Sequence, residues 1–226
     1  GRGLRPPGQD KMQTIGFLGV GNMGGAILAS LIKGGAARPG DILACDAAAA
    51  RRNAVRRRHG VRATADPAEL AAQCGVIVLA VKPQDLEPLL GVLSPLLTRR
   101  HLLVSIAAGK RLARLRELAG DRPRLARAMP NLPVSVGAGM TVFCLEKGAS
   151  ARDRRLVARL LGCCGEALEL EERHFDAVTA LSGSGPAFYA RIMLAMAQAG
   201  NRLGLPATAA RQLALQTMLG TARYLD

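Results

Sequence analysis

The feature that most constrains the fold of this chain is a glycine-rich segment near its start. Residues 14–30 read T-I-G-F-L-G-V-G-N-M-G-G-A-I-L-A-S, a short apolar strand followed by a glycine turn and the start of a helix. Gly19, Gly21 and Gly24 have the spacing G-x-G-x-x-G, in which the first glycine permits a tight turn, the second lets the backbone approach a pyrophosphate, and the third packs helix against strand. The free N–H groups and positive dipole end of such a helix bind phosphate without a basic side chain. The segment indicates dinucleotide binding, and a purely structural glycine turn is the alternative when the motif is taken alone.

Strand and helix patterns alternate after this turn. A basic helix is predicted over residues 47–59, and Asp66 is a predicted N-cap residue with Pro67 at the first helical position. Residues 76–81 form an uninterrupted apolar run, as expected of a strand covered by helices on both faces. The other predicted strands are 42–45, 61–63, 102–106 and, less clearly, 124–129. This alternation with short joints predicts an α/β fold with a Rossmann-like, doubly wound parallel sheet, and residues 140–145 add a β-rich segment beyond the parallel core.

The sequence changes character towards its end. From His174 onward strand patterns stop, and alanine-rich helical sequence continues to Asp226. Ser184 is a candidate N-cap residue, and residues 187–203 are apolar on nearly all sides, which predicts burial in a subunit interface or a larger helical core. We therefore predict a disordered N-terminal extension (1–11), a dinucleotide-binding domain (12–172) and a smaller all-helical domain (173–226).

Composition narrows the functional classes. The net charge of +14 attracts anions, but aromatic residues make up only 3% of the chain and none lies beside the main arginine cluster, which argues against single-stranded nucleic-acid binding. No apolar run approaches the length of a membrane span, and no secretory leader is recognisable. The five cysteines have no metal-ligand spacing and an odd count, so we expect reduced thiols, no metal and a cytoplasmic protein.

Four further motifs follow predicted strands or open the helical region. They are V-K-P at 81–83, S-I-A-A-G at 105–109, A-M-P-N at 128–131 and L-S-G-S-G-P-A at 181–187. Together with the glycine turn, they make the chain resemble pyrroline-5-carboxylate reductases from about Gln13 to its last residue. The resemblance implies reduction of pyrroline-5-carboxylate to L-proline, the last step of proline biosynthesis, with NADPH or NADH as hydride donor. It also implies a homodimer or higher homo-oligomer formed through the helical domain.

The resemblance further implies the residues of the site. Asn131 and Ser184 would lie near the substrate. Lys82, read from its position at a strand end, is a candidate proton donor or electrostatic anchor, and we favour the anchor. The catalytic residues stay unassigned, because the S-P-G-G-T-T-like loop that holds the substrate in the family does not occur up to Asp226. The implied coenzyme-binding residues are Leu18, Gly19, Val20, Gly21, Asn22, Met23, Gly24, Asp46, Ala80, Val81, Lys82, Pro83, Ile106, Ala107 and Ala108.

One departure from the family pattern bears on coenzyme choice. Asp46 lies 22 residues after Gly24 (46 minus 24), where an acidic side chain accepts hydrogen bonds from a ribose 2′-hydroxyl and repels a 2′-phosphate. The arginines at 51, 52 and 56–58 either offset that repulsion or form a solvated basic face. We therefore expect NADH to be used at least as well as NADPH. The alternatives for the whole chain are a catalytically silent dinucleotide-binding homologue and a reductase of a related imine or keto acid.

Overall fold

The computed structural model describes residues 14–225, so the prediction for residues 1–11 lies outside the described part of the chain. An eight-stranded sheet has the order β3-β2-β1-β4-β5-β6-β7-β8. Its strands are β1 (Ile15–Leu18), β2 (Ile42–Cys45), β3 (Arg62–Thr64), β4 (Val76–Leu79), β5 (Leu102–Ser105), β6 (Arg124–Pro130), β7 (Gly139–Leu145) and β8 (Gly165–Glu169). The chain order reverses direction at β1 and β4, which creates the switch point of a doubly wound sheet.

The sheet is parallel from β3 to β6. Ile15 of β1 lies opposite Ile42 on one side and Val76 on the other. Strand β7 then pairs antiparallel with β6, while β8 pairs parallel with β7. The predicted parallel sheet is therefore confirmed, and the β-rich segment at 140–145 joins its edge as an antiparallel strand.

Helices cover both faces of the sheet, because β1, β2, β4 and β5 are buried along their whole length and need apolar cover on both sides. One core contains Phe17, Ile27 and Val157, and the other contains Leu70, Leu90 and Phe175. The helices that supply this cover are α1 (Asn22–Lys33), α2 (Ala49–His59), α3 (Pro67–Gln73), α4 (Leu86–Leu93), α5 (Leu112–Ala119), α6 (Ala151–Gly162) and the short α7 (Phe175–Val178).

Two local predictions differ from the structure. The helix predicted over 47–59 begins at Ala49, because the Asp46 carboxylate accepts the N–H of Ala48 (2.9 Å) and holds the chain in a turn first. The apolar run 76–81 leaves the sheet after Leu79, since Ala80 starts the turn that leads to Pro83. Asp66, by contrast, caps α3 as predicted, with its carboxylate accepting the N–H of Ala68 (2.8 Å).

The chain divides into two compact units between Val178 and Thr179. The second unit contains a π-helical turn (Thr179–Gly183), α8 (Gly185–Arg202) and α9 (Ala207–Tyr224), which pack against each other where Gly200 meets Ala210. Ser184 is not a capping side chain, because its backbone is already helical (φ −88°, ψ −22°) and it makes no capping hydrogen bond. Apolar side chains of this unit are exposed in the single chain, among them Leu181, Phe188, Tyr189, Ile192, Leu194, Met196, Leu213, Leu215 and Leu219.

Candidate functional site

A cavity of about 890 Å³ opens in the first unit where strands β1, β2, β4, β5 and β6 end. Its size lies within the range of about 300–1,000 Å³ that is typical of small-molecule sites. It is lined by Leu18, Gly19, Gly21, Asn22, Met23, Cys45, Asp46, Ala47, Arg51, Ala65, Pro67, Ala80, Val81, Lys82, Pro83, Asp85, Leu89, Ile106, Ala107, Ala108, Met129 and Pro130. Ligands of open parallel sheets bind at this edge, beside the switch point.

The glycine turn forms one wall of the cavity, and a side chain is excluded or absent at each of its three glycines for a different structural reason. Gly19 has a φ of +91°, and a Cβ there would lie 2.7 Å from the carbonyl oxygen of Ala80. Gly24 packs α1 onto the turn, since a Cβ there would lie 2.3 Å from the carbonyl oxygen of Gly19. At Gly21 a Cβ would meet nothing closer than Arg51 Nη1 at 3.9 Å, so the backbone is open to a ligand. These roles match the spacing read from the sequence.

The start of α1 fits a diphosphate. Gly21 occupies the N-cap position and has no side chain to cap the helix, and no acidic residue lies in the first turn. The hydrogen bond from Gly25 N to Gly21 O is the first of the helical ladder, which leaves the N–H groups of Asn22, Met23 and Gly24 ahead of it. A helix N-terminus with free amides beside an uncovered glycine is a site for an anionic group. The residues present therefore fit the pyrophosphate of a dinucleotide coenzyme.

Asp46 lies at the end of β2 and is held by backbone amides. Its two carboxylate oxygens accept the N–H of Val20 (3.0 Å) and the N–H of Ala48 (2.9 Å), and its side chain is only 6% exposed. The Arg51 guanidinium lies 3.5 Å from the same carboxylate and is 60% exposed. Asp46 therefore connects the glycine turn to α2 and places a cation at the mouth of the cavity. Burial and the neighbouring Asp46 raise the pKa of Cys45 to about 11, so this lining thiol stays protonated.

The arginines of α2 do not act as one cluster. Arg52 donates to the carbonyl oxygens of Asp46 and Ala47 (2.7 Å each), and Arg56 donates to the carbonyl oxygen of Ala63. Arg57 and Arg58 are exposed and do not line the cavity. Of the five arginines in this helix, Arg51 is the one that lines the cavity.

The opposite wall comes from the turns after β4, β5 and β6. Residues 80–83 and 106–108 line it, and Met129 and Pro130 of β6 complete it. The hydroxyl of Ser105 accepts the N–H of Ala107 (3.3 Å), which holds the turn after β5. This wall is mainly backbone and small apolar side chains, and the exposed Lys82 is its cation.

The structure brings most of the predicted site residues into this cavity. Val20 and Gly24 support the lining from behind through the contacts given above. Asn131 follows the lining residue Pro130, but its side-chain oxygen accepts the N–H of Met140 (2.9 Å) and does not line the cavity. Ser184 belongs to the second unit. The sequence motifs did not predict eight further lining residues, of which the last two lie inside the motif A-M-P-N: Cys45, Ala47, Ala65, Pro67, Asp85, Leu89, Met129 and Pro130.

The three histidines of the chain, His59, His101 and His174, do not line the cavity. His101 is fully buried, its Nδ1 accepts the N–H of Thr98 (2.8 Å), and its Nε2 lies 3.0 Å from the carbonyl oxygen of Ala71. Within residues 14–225, no cluster of His, Cys, Asp or Glu has the arrangement of a metal site. In the same residues, no helix combines the length and apolar character that crossing a membrane requires.

Comparisons with known proteins agree with this geometry. A family model described as pyrroline-5-carboxylate reductase dimerisation matches residues 172–226, and one described as coenzyme F420-dependent NADP oxidoreductase matches residues 14–109. The pyrroline-5-carboxylate reductase of Glycine max is 40% identical over 214 residues, which cover 94% of this chain and 77% of the relative. The chain belongs to the pyrroline-5-carboxylate reductase family.

Solved structures of the family superpose closely. The enzyme of Coxiella burnetii has a TM-score of 0.89 at 32% identity, covering 94% of this chain and 79% of that structure. The Plasmodium falciparum enzyme, crystallised with NADP bound, has a TM-score of 0.85 at 28% identity, covering 93% of this chain and 78% of that structure. The predicted family and the predicted sheet with a helical second domain are thus confirmed. The exact boundary after residue 172 stays a prediction, because the compact units divide six residues later.

Proposed function

We propose that this chain is an oxidoreductase that reduces 1-pyrroline-5-carboxylate to L-proline with NADPH or NADH, the last step of proline biosynthesis. The observation that carries the proposal is the cavity at the switch point, where a glycine turn and the free amides of α1 face the ends of five strands. The family relationship and the NADP-bound relative support the same assignment.

The residues of this chain supply binding and orientation. The amides of α1 would hold the pyrophosphate, Asp46 and Arg51 would contact the adenosine half, and residues 80–83 and 106–108 would border the nicotinamide half. When bound, the reduced nicotinamide supplies the hydride that the imine carbon accepts. An iminium is already electrophilic, so the protein has to orient the reactants and exclude water rather than provide a nucleophile. The apolar wall of Ile106, Ala107 and Met129 fits that requirement, and Lys82 anchors negative charge at its edge.

A titration followed by turnover tests the proposal. We expect the purified chain to bind NADPH or NADH, measured by coenzyme fluorescence, and to oxidise the bound coenzyme when pyrroline-5-carboxylate is added. Binding without oxidation would support a catalytically silent homologue. Oxidation with another cyclic imine or a keto acid, but not with pyrroline-5-carboxylate, would assign a related reductase. Absence of coenzyme binding would refute the proposal as a whole.

We infer that NADH is used at least as well as NADPH. The buried Asp46 carboxylate lines the cavity after β2, the position at which an acidic side chain accepts ribose hydroxyls and repels a 2′-phosphate, and among the described residues Arg51 is the lining cation paired with it. Dissociation constants for both coenzymes test this inference. We expect Asp46→Asn to shift preference towards NADPH and Arg51→Gln to weaken NADPH more than NADH. Arg57→Gln is the matched control, because Arg57 lies exposed on the same helix away from the cavity. A strong NADPH preference of the wild type contradicts the inference.

We further propose that the second unit forms a homodimer through its exposed apolar side chains. Phe188, Tyr189 and Ile192 are between half and two-thirds exposed on α8, at spacings that place them on one stretch of helix surface. Light scattering after size-exclusion chromatography should give at least twice the mass of one chain, and Ile192→Lys should reduce it. A wild-type mass of one chain would contradict the proposal.

We also propose a cytoplasmic location for this chain. All five cysteines are free thiols in the structure, which is typical of a reducing compartment. Fractionation of the source cells with an antibody to the chain tests this, and recovery in an oxidising compartment would contradict it.

A further inference from the structure

A partly buried carboxylate, Glu172, joins its own segment to the start of α5 and to β6, next to the cavity wall formed by residues 106–108 and 129–130. One oxygen of Glu172 accepts the N–H of Leu112 (2.7 Å), and the same oxygen accepts a hydrogen bond from Arg127 Nη1 (2.9 Å). These partners lie 60 and 45 residues away in sequence. The Arg127 side chain is 5% exposed, and its guanidinium carbon lies 4.5 Å from the centre of the Phe175 ring.

Glu172 satisfies a polar group of each partner that would otherwise lack this acceptor. Arg111, the N-cap residue of α5, makes no capping bond with its own side chain, so Glu172 satisfies an N–H at the start of this helix. Arg127 carries a buried charge on β6, and a buried charge is strongly unfavourable when its partner is removed. Glu172 therefore holds the start of α5 and the middle of β6 at one point.

Both attachment points adjoin the cavity wall. Leu112 ends the turn that begins with the lining residues Ile106–Ala108, and Arg127 lies two residues before the lining residue Met129. Ala107, Leu112 and Phe175 also belong to the same apolar core. A displacement of α5 or of the Arg127 side chain is thus transmitted to the wall through short, packed connections.

We propose that Glu172 is a positioning residue that holds this wall in place and thereby sets the affinity for the nicotinamide half of the coenzyme without touching it. This inference rests on the proposed function, because it assumes that the nicotinamide half of the coenzyme lies beside residues 106–108 and the adenosine half beside Arg51. The glycine turn and Arg51, at the adenosine end, make no hydrogen bond with Glu172 or Arg127 in the described residues. The loss of Glu172 should therefore affect one half of the coenzyme and spare the other.

The test compares two ligands in the full chain. Dissociation constants are measured for NADPH and for 2′,5′-ADP, which contains only the adenosine half. We expect Glu172→Ala to weaken NADPH about tenfold, the scale of one lost charge-assisted hydrogen bond, and to change 2′,5′-ADP less than about twofold. Glu172→Gln should recover about half of this loss on a logarithmic scale, because its amide oxygen still accepts the N–H of Leu112 but no longer pairs its charge with Arg127. Asp176→Asn is the matched control, because Asp176 lies in the same segment, pairs with Arg111 and is 85% exposed.

Hydrogen exchange gives a readout that does not depend on the coenzyme. We expect faster amide exchange over residues 106–112 in Glu172→Ala than in the wild type or in Asp176→Asn. Equal weakening of both ligands, or unchanged exchange over these residues, would overturn the proposal. If Glu172→Ala does not fold, Glu172→Gln decides through an intermediate loss for NADPH alone, and no loss overturns the proposal. If the wild type binds neither ligand, the proposed function fails, whereas the exchange rates still decide whether Glu172 holds the wall.

Discussion

Adding one methyl group at Gly24 tests the packing on which the cavity depends. A Cβ at this position would lie 2.3 Å from the carbonyl oxygen of Gly19 and 2.8 Å from the Cβ of Ala80. The first neighbour is backbone and cannot rotate away, so α1 must move off the turn. Such overpacking costs about 1–3 kcal/mol or more, whereas alanine gains about 1 kcal/mol over glycine in a helix interior. We therefore expect Gly24→Ala to destabilise the folded state by about 1–2 kcal/mol.

Gly25 offers a matched control one residue later in the same helix. A Cβ there would have Val20 O as its nearest neighbour at 3.5 Å, an ordinary contact, and Gly25 does not line the cavity. Gly25→Ala should therefore stabilise the chain by about 0.5–1 kcal/mol. Urea unfolding followed by circular dichroism measures both changes, and coenzyme titration should show weaker binding in Gly24→Ala alone. Equal unfolding free energies for the two variants would refute the close packing of α1 on the glycine turn.

Three further predictions concern single side chains. Iodoacetamide at about pH 8 should modify Cys163 before the other cysteines, measured by mass spectrometry, because Cys163 is partly exposed. Burial raises the pKa of all five thiols, to about 11 or 12 in the four buried ones, Cys45, Cys74, Cys144 and Cys164. Burial and the charge of Arg58 lower the pKa of His59 below 6.5 in the folded chain, so folding disfavours its protonation. The free energy of unfolding should accordingly fall as pH drops through 6.5, and less so in His59→Gln, measured by urea unfolding across that range. Asp66→Ala removes the cap on α3 and should cost about 1 kcal/mol in the same assay, and an unchanged value would show that the cap is not needed.

Local patterns predicted the parallel part of the sheet because its strands are continuous apolar runs. They did not predict β8 (Gly165–Glu169), whose residues are mostly exposed and which carries two glutamates. An edge strand of this kind is fixed by its partner rather than by its own hydrophobicity. Here Gly165 lies against Gly139 so closely that a Cβ would be 2.1 Å from the Gly139 carbonyl oxygen. That contact joins residues 26 positions apart (165 minus 139), so no local pattern contains it.

The candidate site likewise combines features that follow from local sequence with features that depend on distant contacts. The glycine spacing predicted which backbone lies uncovered beside the cavity, since that geometry is local to six residues. The sequence also placed Asp46 at the cavity, but its bonds to the Val20 and Ala48 amides depend on how β2 lies beside the turn. The sequence could not predict the separate roles of the arginines on α2 either. Whether an arginine side chain faces a carbonyl group, the cavity or solvent depends on the tertiary structure and not on the local sequence.

The chain as a whole is strongly positive, whereas the charged side chains that line its cavity are balanced. The first property affects how strongly anions are attracted, and the second affects which ligand binds. The whole chain carries a net charge of +14, which favours the approach of anionic ligands over long distances. In the described part of the chain, by contrast, the charged residues that line the cavity are two bases, Arg51 and Lys82, and two acids, Asp46 and Asp85. In the proposed function the helix amides bind the diphosphate, so these four side chains are left to act at short range on the rest of the ligand. Substituting them should therefore change which coenzyme or substrate binds more than whether an anion binds at all.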